Sequence, residues 1–198
     1  HSGLNILGTH DTPRLLTMLG AARTPESKDD RATYRLSPEE LDMGLARLRL
    51  GALLLYSFPG SPTVFYGDEA GMQGFEDPLN RGTYPWSDVG GKPDTDLLAA
   101  YKSLIKMRKD YPILRQGSLS APLYSDANVV VLLRELNGQK ALVMLNNGTT
   151  EKALSLALPA TLAGSYQDVL TRSGFTVAED DSLSLTVPAL YGRVLISQ

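Results

Sequence analysis

Residues 4–14 read LNILGTHDTPR, and this stretch decides the fold that we expect. Its apolar run is followed at once by polar side chains, first His10 and Asp11 and then Arg14. A buried parallel strand delivers polar side chains in this way to the mouth of a barrel or the edge of a sheet. We therefore predict a buried strand over residues 4–9 whose carboxyl end carries functional side chains.

Residues 58–69, FPGSPTVFYGDE, show the same pattern of an apolar run followed by polar side chains. β-branched and aromatic residues lead into a glycine and two carboxylates, which predicts a second strand over residues 62–66. Between the two strands, residues 37–40 read SPEE, the form of a capping box with proline at the first helical position. Apolar residues follow at helical spacing, so the predicted order is strand, helix, strand, which is typical of an α/β fold.

Two other segments of this half carry weaker signals. Thr12 and Pro13 predict the cap and the first position of a short helix. Residues 20–36 are polar and interrupted by proline, so we expect a loop or a broken helix there. The charged run at residues 28–31 is expected to lie in a solvated loop.

Residues 68–93 are predicted to form a long loop that holds the only tryptophan of the chain, Trp86. Loops of this length without periodicity are usually functional or disordered, and the clustered aromatic residues favour a function. A further helix is predicted to start at residue 94 or 95 and to stop before Pro112.

After Gly117 the chain consists of short apolar segments at fairly even spacing. Between two of them, Asn137-Gly138 is a strong signal for a type I′ hairpin turn. We therefore predict an α/β domain over residues 1–112 and a small antiparallel β domain, a sandwich or barrel, over residues 113–198. The predicted strands cover residues 119–124, 129–136, 141–145, 153–158, 166–170, 183–187 and 191–196.

Charge and composition argue against several classes of partner. The net charge of −3 comes without a block of lysine and arginine, which argues against nucleic acid and anionic membranes. The absence of cysteine excludes disulfides and thiolate metal sites. The longest apolar run, residues 50–56, is too short to cross a bilayer, and no targeting segment assigns a compartment. Asp180 and Asp181 are expected to lie in a turn rather than to bind calcium.

The α/β half is incomplete as a free-standing domain. Two parallel strands and three helices cannot cover both faces of a sheet, and exposed parallel edges are avoided. We therefore expect residues 1–110 to be the last segment of a larger α/β fold whose earlier strands lie upstream.

Three segments resemble conserved regions of the α-amylase family of glycoside hydrolases. Residues 6–14 resemble its fourth conserved region, in the form found in the pullulanase, neopullulanase and cyclomaltodextrinase branch. Residues 60–69 resemble the region at its eighth barrel strand, and residues 77–81 with 84–86 resemble its donor-subsite loop. The resemblance implies the last two βα units of a (β/α)8 TIM barrel followed by a C-terminal antiparallel β-sandwich. Thr9 stands where amylases often have Asn, and this departure bears on substrate preference.

The resemblance also implies roles for individual residues. A retaining glycosidase needs a nucleophilic carboxylate and an acid/base carboxyl about 5–5.5 Å apart. In this family both lie on earlier barrel strands, outside this sequence. Asp11 is implied to be the third carboxylate, which stabilises the transition state, and His10 to donate to hydroxyls of the same sugar. Asp77 and Arg81 are implied to grip a sugar on the donor side.

Other candidate residues keep two interpretations each. We expect Arg14 to be one of the substrate-binding residues and to pair with a carboxylate of the assembled site. Trp86 is either a loop anchor or a stacking platform for a pyranose. The Asp77–Arg81 pair is an intraloop salt bridge, a sugar clamp or both. Tyr66 and Glu69 are expected to be structural residues near the site.

We therefore expect part of a retaining glycoside hydrolase that cleaves α-1,4 or α-1,6 glucosidic bonds and is inactive in this form alone. The alternative is a non-catalytic carbohydrate-binding or assembly module derived from the same fold. The expected partners are an α-glucan or maltooligosaccharide, the upstream part of the same barrel, and a second copy through the incomplete barrel. No organic cofactor or metal site is expected in the chain, although the resemblance allows calcium in the full-length protein.

Overall fold

The computed structural model describes residues 3–178 and 182–198, and the chain divides into two compact units. The first, here called the α/β unit, comprises the residues up to 55 together with residues 60–104. The second, here called the β unit, comprises residues 56–59 and 105–198. The division into domains at residue 112 stays a prediction. The predicted turn at Asp180 and Asp181 lies outside the described residues.

In the α/β unit, strands β1 (Leu4–Ile6) and β2 (Ser61–Thr63) pair in parallel, with Asn5 opposite Pro62. The prediction of a buried strand over residues 4–9 is wrong in both length and burial. The strand ends at Ile6 because the backbone turns soon after it, and the Leu4 side chain is 74% exposed. Within the described residues β1 and β2 pair only with each other, so neither outer edge of this two-stranded sheet has a neighbouring strand.

The helices of the chain are α1 (Leu15–Gly20), α2 (Lys28–Thr33), α3 (Pro38–Ser57), α4 (Thr95–Asp110) and α5 (Ile113–Gln116). The predicted capping box of α3 is confirmed, because the Ser37 hydroxyl accepts from the Glu40 N–H at 3.3 Å and Glu40 Oε2 accepts from the Ser37 N–H at 2.9 Å. The predicted start of α4 is also confirmed. Asp94 caps it by accepting from the Leu97 N–H at 2.7 Å.

Two predictions for the first half are corrected by the structure. The charged run at residues 28–31 lies in helix α2, not in a loop, because the Ser27 hydroxyl accepts from the Asp30 N–H and caps the helix. Helix α1 begins at Leu15 rather than at Pro13, and no side chain caps it. Thr12 makes a different set of hydrogen bonds, described below.

Helices α1 and α3 approach each other closely at two glycines, Gly20 and Gly44. A Cβ atom on Gly20 would lie 2.5 Å from the backbone oxygen of Glu40, closer than such atoms approach in proteins. This contact sets Leu15 and Leu16 of α1 in the core together with Leu48 of α3. The segment that joins β1 to α1 is therefore followed by a tightly packed helix pair.

In the described residues of the β unit, the strands are antiparallel and form two sheets. Their bounds are β3 (Ser118–Leu119), β4 (Tyr124–Ser125), β5 (Val129–Leu136), β6 (Gln139–Asn146), β7 (Lys152–Ala157), β8 (Gly164–Asp168), β9 (Gly174–Val177), β10 (Ser182–Val187) and β11 (Tyr191–Ser197). The larger sheet has the order β3-β5-β6-β11-β8-β9, with β4 also paired to β5, and the smaller one joins β7 to β10. Apolar residues of both sheets, among them Val131, Met144, Leu154 and Leu185, share one core.

The hairpin turn predicted at Asn137-Gly138 is confirmed. It joins β5 to β6, and both residues have positive φ, 50° and 85°, as a type I′ turn requires. The segment predicted as one strand over residues 119–124 is instead two short strands, β3 and β4. The sequence analysis did not predict strand β9 or helix α5.

Two buried arginines of the β unit bind backbone carbonyls rather than carboxylates. Arg108 Nη1 donates to the carbonyls of Tyr56, Phe58 and Leu114 at 2.6–2.9 Å. Arg134 donates to the carbonyls of Ser118 and Gly117 at 2.9 and 2.7 Å, and also to that of Ser57. Burial lowers the pKa of Arg134 to about 10, so the side chain stays charged at neutral pH. No helix in the described parts of the chain is both long and apolar enough to cross a membrane.

Candidate functional site

Four exposed side chains that the sequence singled out lie together in the α/β unit. Asp11 Oδ1 lies 3.3 Å from His10 Nε2 and 3.9 Å from Arg81 Nη2, and Arg81 Nη2 lies 3.1 Å from Asp77 Oδ2. We call His10, Asp11, Asp77 and Arg81 the polar cluster. Two carboxylates, a guanidinium and an imidazole open to solvent supply donors and acceptors for the hydroxyl groups of a polar ligand.

A turn closed by two threonines presents His10 and Asp11. The Thr12 hydroxyl accepts from the Thr9 N–H at 3.1 Å and donates to the Thr9 carbonyl at 3.2 Å. The Thr9 hydroxyl in turn accepts from the Asp11 N–H at 3.1 Å. Thr12 therefore closes the turn that carries His10 and Asp11, and does not cap helix α1 as the sequence predicted.

Asn80 joins this turn to the loop that carries Asp77 and Arg81. Its side-chain nitrogen donates to the carbonyls of His10 and Thr12, at 2.7 and 2.8 Å, and the residue is 0% exposed. Sequence reasoning quoted Asn80 within a motif but gave it no role. Its only signal was its position, directly before Arg81 within residues 77–81.

Arg14 lies beneath the surface rather than in the polar cluster. Its Nη1 is 3.5 Å from Asp68 Oδ1 and donates to the Tyr66 carbonyl. The guanidinium carbon also lies 4.3 Å from the ring centroid of Phe65 and 4.6 Å from that of Tyr66. The carboxylate beside Arg14 in this structure is that of Asp68. We therefore propose below a supporting role for Arg14 rather than direct contact with a ligand.

The Asp68 carboxyl is buried close to the backbone of Gly8. A Cβ atom on Gly8 would lie 2.8 Å from Asp68 Oδ2, so glycine is what allows this approach. Burial raises the pKa of Asp68 to about 6, and the positive charge of Arg14 opposes this shift without cancelling it. The carboxyl thus joins the residues that follow β1 to those that follow β2.

Tyr66 and Glu69 bind the backbone near the carboxyl end of β2. The Tyr66 hydroxyl donates to the Gly82 carbonyl at 2.8 Å, which places Tyr66 in contact with the residue after Arg81. Glu69 Oε2 accepts from the Gly67 N–H at 2.9 Å. The Tyr66 contact therefore holds the loop that carries Arg81, whereas the Glu69 contact closes a local turn after β2.

Trp86 lies beside a second aromatic residue of the same loop. Its ring is 61% exposed and lies 4.4 Å, centroid to centroid, from the ring of Tyr84. Its backbone carbonyl accepts from the Gly91 N–H at 2.8 Å, which closes the loop around it. Trp86 thus has an anchored backbone and an exposed aromatic face. Over residues 3–178 and 182–198, no group of three or more His, Asp or Glu side chains is placed to hold a metal ion.

Comparison with known protein families matches part of the β unit. Residues 122–193 match the family described as "Maltogenic Amylase, C-terminal domain". This match spans the strands from β4 to β11.

Curated relatives match nearly the whole chain. An amylopullulanase of Thermoanaerobacter thermohydrosulfuricus is 32% identical over 100% of this chain and 13% of its own length. A cyclomaltodextrinase of Geobacillus thermopakistaniensis is 30% identical over 98% of this chain and 29% of its own length. The chain therefore spans less than a third of the length of either relative.

Solved structures share the fold. The debranching enzyme of Nostoc punctiforme superposes with a TM-score of 0.73 at 27% identity, over 98% of this chain and 35% of that one. An α-amylase of Geobacillus thermoleovorans superposes with a TM-score of 0.77 at 22% identity, over 98% of this chain and 38% of that one. The second likeness is one of fold alone.

Proposed function

Because this chain belongs to the α-amylase family of glycoside hydrolases, whose C-terminal region it matches, we propose that it is part of a retaining enzyme that acts on α-glucans. We call the longer protein the parent enzyme. In this proposal residues 1–112 supply the last two βα units of a (β/α)8 TIM barrel, and residues 113–198 supply a β-sandwich. The parallel pair β1–β2, with α3 between its strands, supports the first assignment. The two antiparallel sheets with a shared core support the second.

The observation that carries the proposal is the polar cluster. Asp11 follows the carboxyl end of a parallel strand, which is where the active sites of TIM barrels lie. Its exposed carboxylate lies within 4 Å of His10 and Arg81, so one ligand can contact all three. Asp77 pairs with Arg81, but the pair is exposed and therefore weak, which leaves both side chains free to bind hydroxyl groups.

Each residue of the polar cluster then has a chemical role at the cleaved bond. Positive charge grows on the anomeric carbon in the transition state, and hydrogen bonds from sugar hydroxyls to a carboxylate strengthen as it grows. In this proposal Asp11 accepts those hydrogen bonds, and His10 donates to hydroxyls of the same sugar. Asp77 and Arg81 hold a neighbouring sugar on the donor side.

The chain supplies binding and stabilisation, and the parent enzyme supplies the bond-breaking carboxyls. In a retaining mechanism one carboxylate attacks the anomeric carbon while a carboxylic acid protonates the leaving oxygen, and water later releases the sugar. We place both of these groups outside the present chain. We therefore propose that residues 1–198 alone bind glucans weakly and hydrolyse none.

Trp86 and Arg14 have outer roles in this proposal. The exposed Trp86 side chain, beside Tyr84, is suited to stacking on a pyranose ring. Arg14 holds the residues that follow β1 and β2 through Asp68 and the Tyr66 carbonyl. Its contribution to binding is therefore indirect.

Hydrolysis of pullulan, cyclodextrin and starch by the parent enzyme tests the proposal. We expect Asp11→Asn to lower kcat/KM by about 10²-fold or more, the usual effect of removing an electrostatic stabiliser of the transition state. The control is Asp29→Asn, which changes an exposed aspartate on helix α2 and should leave kcat/KM unchanged. Full activity in Asp11→Asn would contradict the role of Asp11. A parent enzyme inactive on every glucan would favour a binding or assembly module.

A further inference from the structure

We infer that Asn80 is a positioning residue that sets the distance between Arg81 and Asp11, an inference that rests on the proposed function. The two carbonyls that its amide contacts belong to His10 and Thr12, the residues on either side of Asp11. Both amide protons are used, at 2.7 and 2.8 Å. The side chain therefore grips the backbone around Asp11 at two points, while its own backbone continues directly into Arg81.

The orientation of the amide follows from its surroundings. Two carbonyl oxygens face the side chain, and a carbonyl can only accept, so the NH₂ group of Asn80 must point toward them. The Asn80 side-chain oxygen is buried and has no hydrogen-bond partner among the described residues. The NH₂ group is therefore the part of the side chain that joins the loop to the turn.

The turn does not depend on Asn80 for its own shape. Thr9 and Thr12 close it with three hydrogen bonds of their own. Loss of the Asn80 amide is thus expected to displace the loop relative to the turn, and not to open the turn.

The loop is stiff enough to pass this displacement on to Arg81. The Arg81 N–H donates to the Pro78 carbonyl at 3.1 Å, and the Leu79 N–H donates to the Glu76 carbonyl at 2.9 Å. Gly74 lies so close to the loop that a Cβ atom there would be 2.2 Å from the Leu79 carbonyl oxygen. Asn80 sits between these contacts, so a shift at residue 80 moves the Arg81 guanidinium away from Asp11.

A double-mutant cycle in the parent enzyme tests this inference. Asn80→Ala, Arg81→Ala and the double variant are compared with wild type by kcat and KM on cyclodextrin and pullulan. If Asn80 acts through Arg81, Asn80→Ala should lower kcat/KM about 10-fold or more in wild type and change it little once Arg81 is already alanine. Asn80→Ser, which keeps a hydroxyl and leaves a smaller cavity, replaces Asn80→Ala in the cycle if that variant does not fold.

Asn146 provides a matched control for a purely structural role. It is also buried, and its side-chain nitrogen donates to the carbonyls of Thr150, Val187 and Pro188 at 3.0–3.1 Å in the β unit. Asn146→Ala should lower the Tm of the parent enzyme but leave kcat/KM of the folded enzyme unchanged. The inference is overturned if Asn80→Ala behaves like Asn146→Ala, or if it lowers kcat/KM by the same factor with and without Arg81.

The same measurements separate this inference from the proposed function. A parent enzyme that hydrolyses no glucan, or an Asp11→Asn variant with full activity, would overturn both. A different outcome would overturn the inference about Asn80 alone. In that outcome the parent enzyme is active and both Asp11→Asn and Arg81→Ala impair it, but the effects of Asn80→Ala and Arg81→Ala on kcat/KM are additive.

Discussion

Arg14 and Asp68 form an ion pair in which both side chains are buried, with 3.5 Å between Nη1 and Oδ1. Arg14 follows β1, and Asp68 follows β2, so the pair joins the carboxyl ends of both parallel strands. Arg14 Nε and Nη2 and Asp68 Oδ1 have no hydrogen-bond partner among the described residues. The two charges are thus compensated only by each other and by the contact of the guanidinium with two aromatic rings, so removing either partner would leave a buried charge unpaired.

The first prediction concerns the dependence of stability on pH. Burial raises the pKa of Asp68 to about 6 from the ordinary value of 3.8, so the folded protein binds more protons than the unfolded chain between these values. Through this group the free energy of unfolding falls as the pH rises from about 4 to about 6. Thermal unfolding of the parent enzyme should show that the advantage of wild type over Asp68→Asn shrinks across this range. An advantage that grows with pH would show that the attraction of Arg14 outweighs the cost of burial.

The second prediction concerns the ion pair itself. Arg14→Met should destabilise the parent enzyme by about 3–5 kcal/mol, the usual cost of leaving one partner of a buried pair without the other. Adding Asp68→Asn should recover part of this loss, because the unpaired carboxylate is then also removed. Chemical denaturation of the single and double variants measures both effects. Arg49→Met, on an exposed position of α3, is the control and should change the stability little.

The third prediction concerns the packing of α1 on α3. Gly20→Ala should destabilise the protein by about 1–3 kcal/mol, because the new methyl group would lie 2.5 Å from the Glu40 carbonyl oxygen and force the helices apart. Gly174→Ala is the matched control, since a Cβ atom there meets no other atom within 4 Å. Equal unfolding midpoints for the two variants would contradict a close helix contact.

The fourth prediction concerns Arg134 in the β unit. Arg134→Met should destabilise the protein by about 2–4 kcal/mol, because the carbonyls of Gly117 and Ser118 lose a charged, buried hydrogen-bond donor. Arg134→Lys should recover only part of this, since an ammonium cannot reproduce the fork of a guanidinium. Denaturant midpoints of the two variants and wild type provide the comparison. A Lys variant as stable as wild type would show that charge alone suffices.

The fifth prediction concerns self-association of residues 1–198 when produced alone. Leu4 and Ile6 of β1 are exposed, and β1 has no second neighbouring strand among the described residues. Such an apolar strand edge pairs readily with another copy. Light scattering after size-exclusion chromatography should show species larger than a monomer, reduced by replacing Leu4 and Ile6 with Thr. Val89→Thr, an equally exposed position in a loop, should have no effect, and a well-folded monomer of the unmodified chain would contradict the prediction.

Much of the fold could be read from local sequence. The capping box at residues 37–40, the cap at Asp94 and the turn at Asn137-Gly138 were predicted because their hydrogen bonds join residues within four positions of one another. The long strand β5 was predicted with its observed bounds, because its valine-rich apolar run leads directly into the Asn137-Gly138 turn signal. Helix α2 lies in the segment expected to be a loop or a broken helix, and its charged run was assigned to a loop because a polar sequence gives no hydrophobic period, even though the cap at Ser27 is a local signal.

The candidate site was predicted in part for the same reason. His10 with Asp11, and Asp77 with Arg81, were identified by their spacing and by the resemblance of their motifs, and the structure places all four together. Their roles in catalysis stay predictions until the parent enzyme is measured. The residues that hold them were not found, because Asn80 and Thr12 are common residues whose importance depends on what they contact.

The sequence by itself therefore determined the caps of α3 and α4, the turn at Asn137-Gly138 and the chemical character of the polar cluster, since these depend on neighbouring residues. Only the tertiary structure decided that Asn80 binds the turn 68 and 70 residues away, and that Arg14 is buried on Asp68 rather than exposed beside Asp11. It also decided that Leu4 faces solvent. The reason is physical: burial and long-range hydrogen bonds depend on which distant segments the packing brings together, and a single sequence carries no direct record of those contacts.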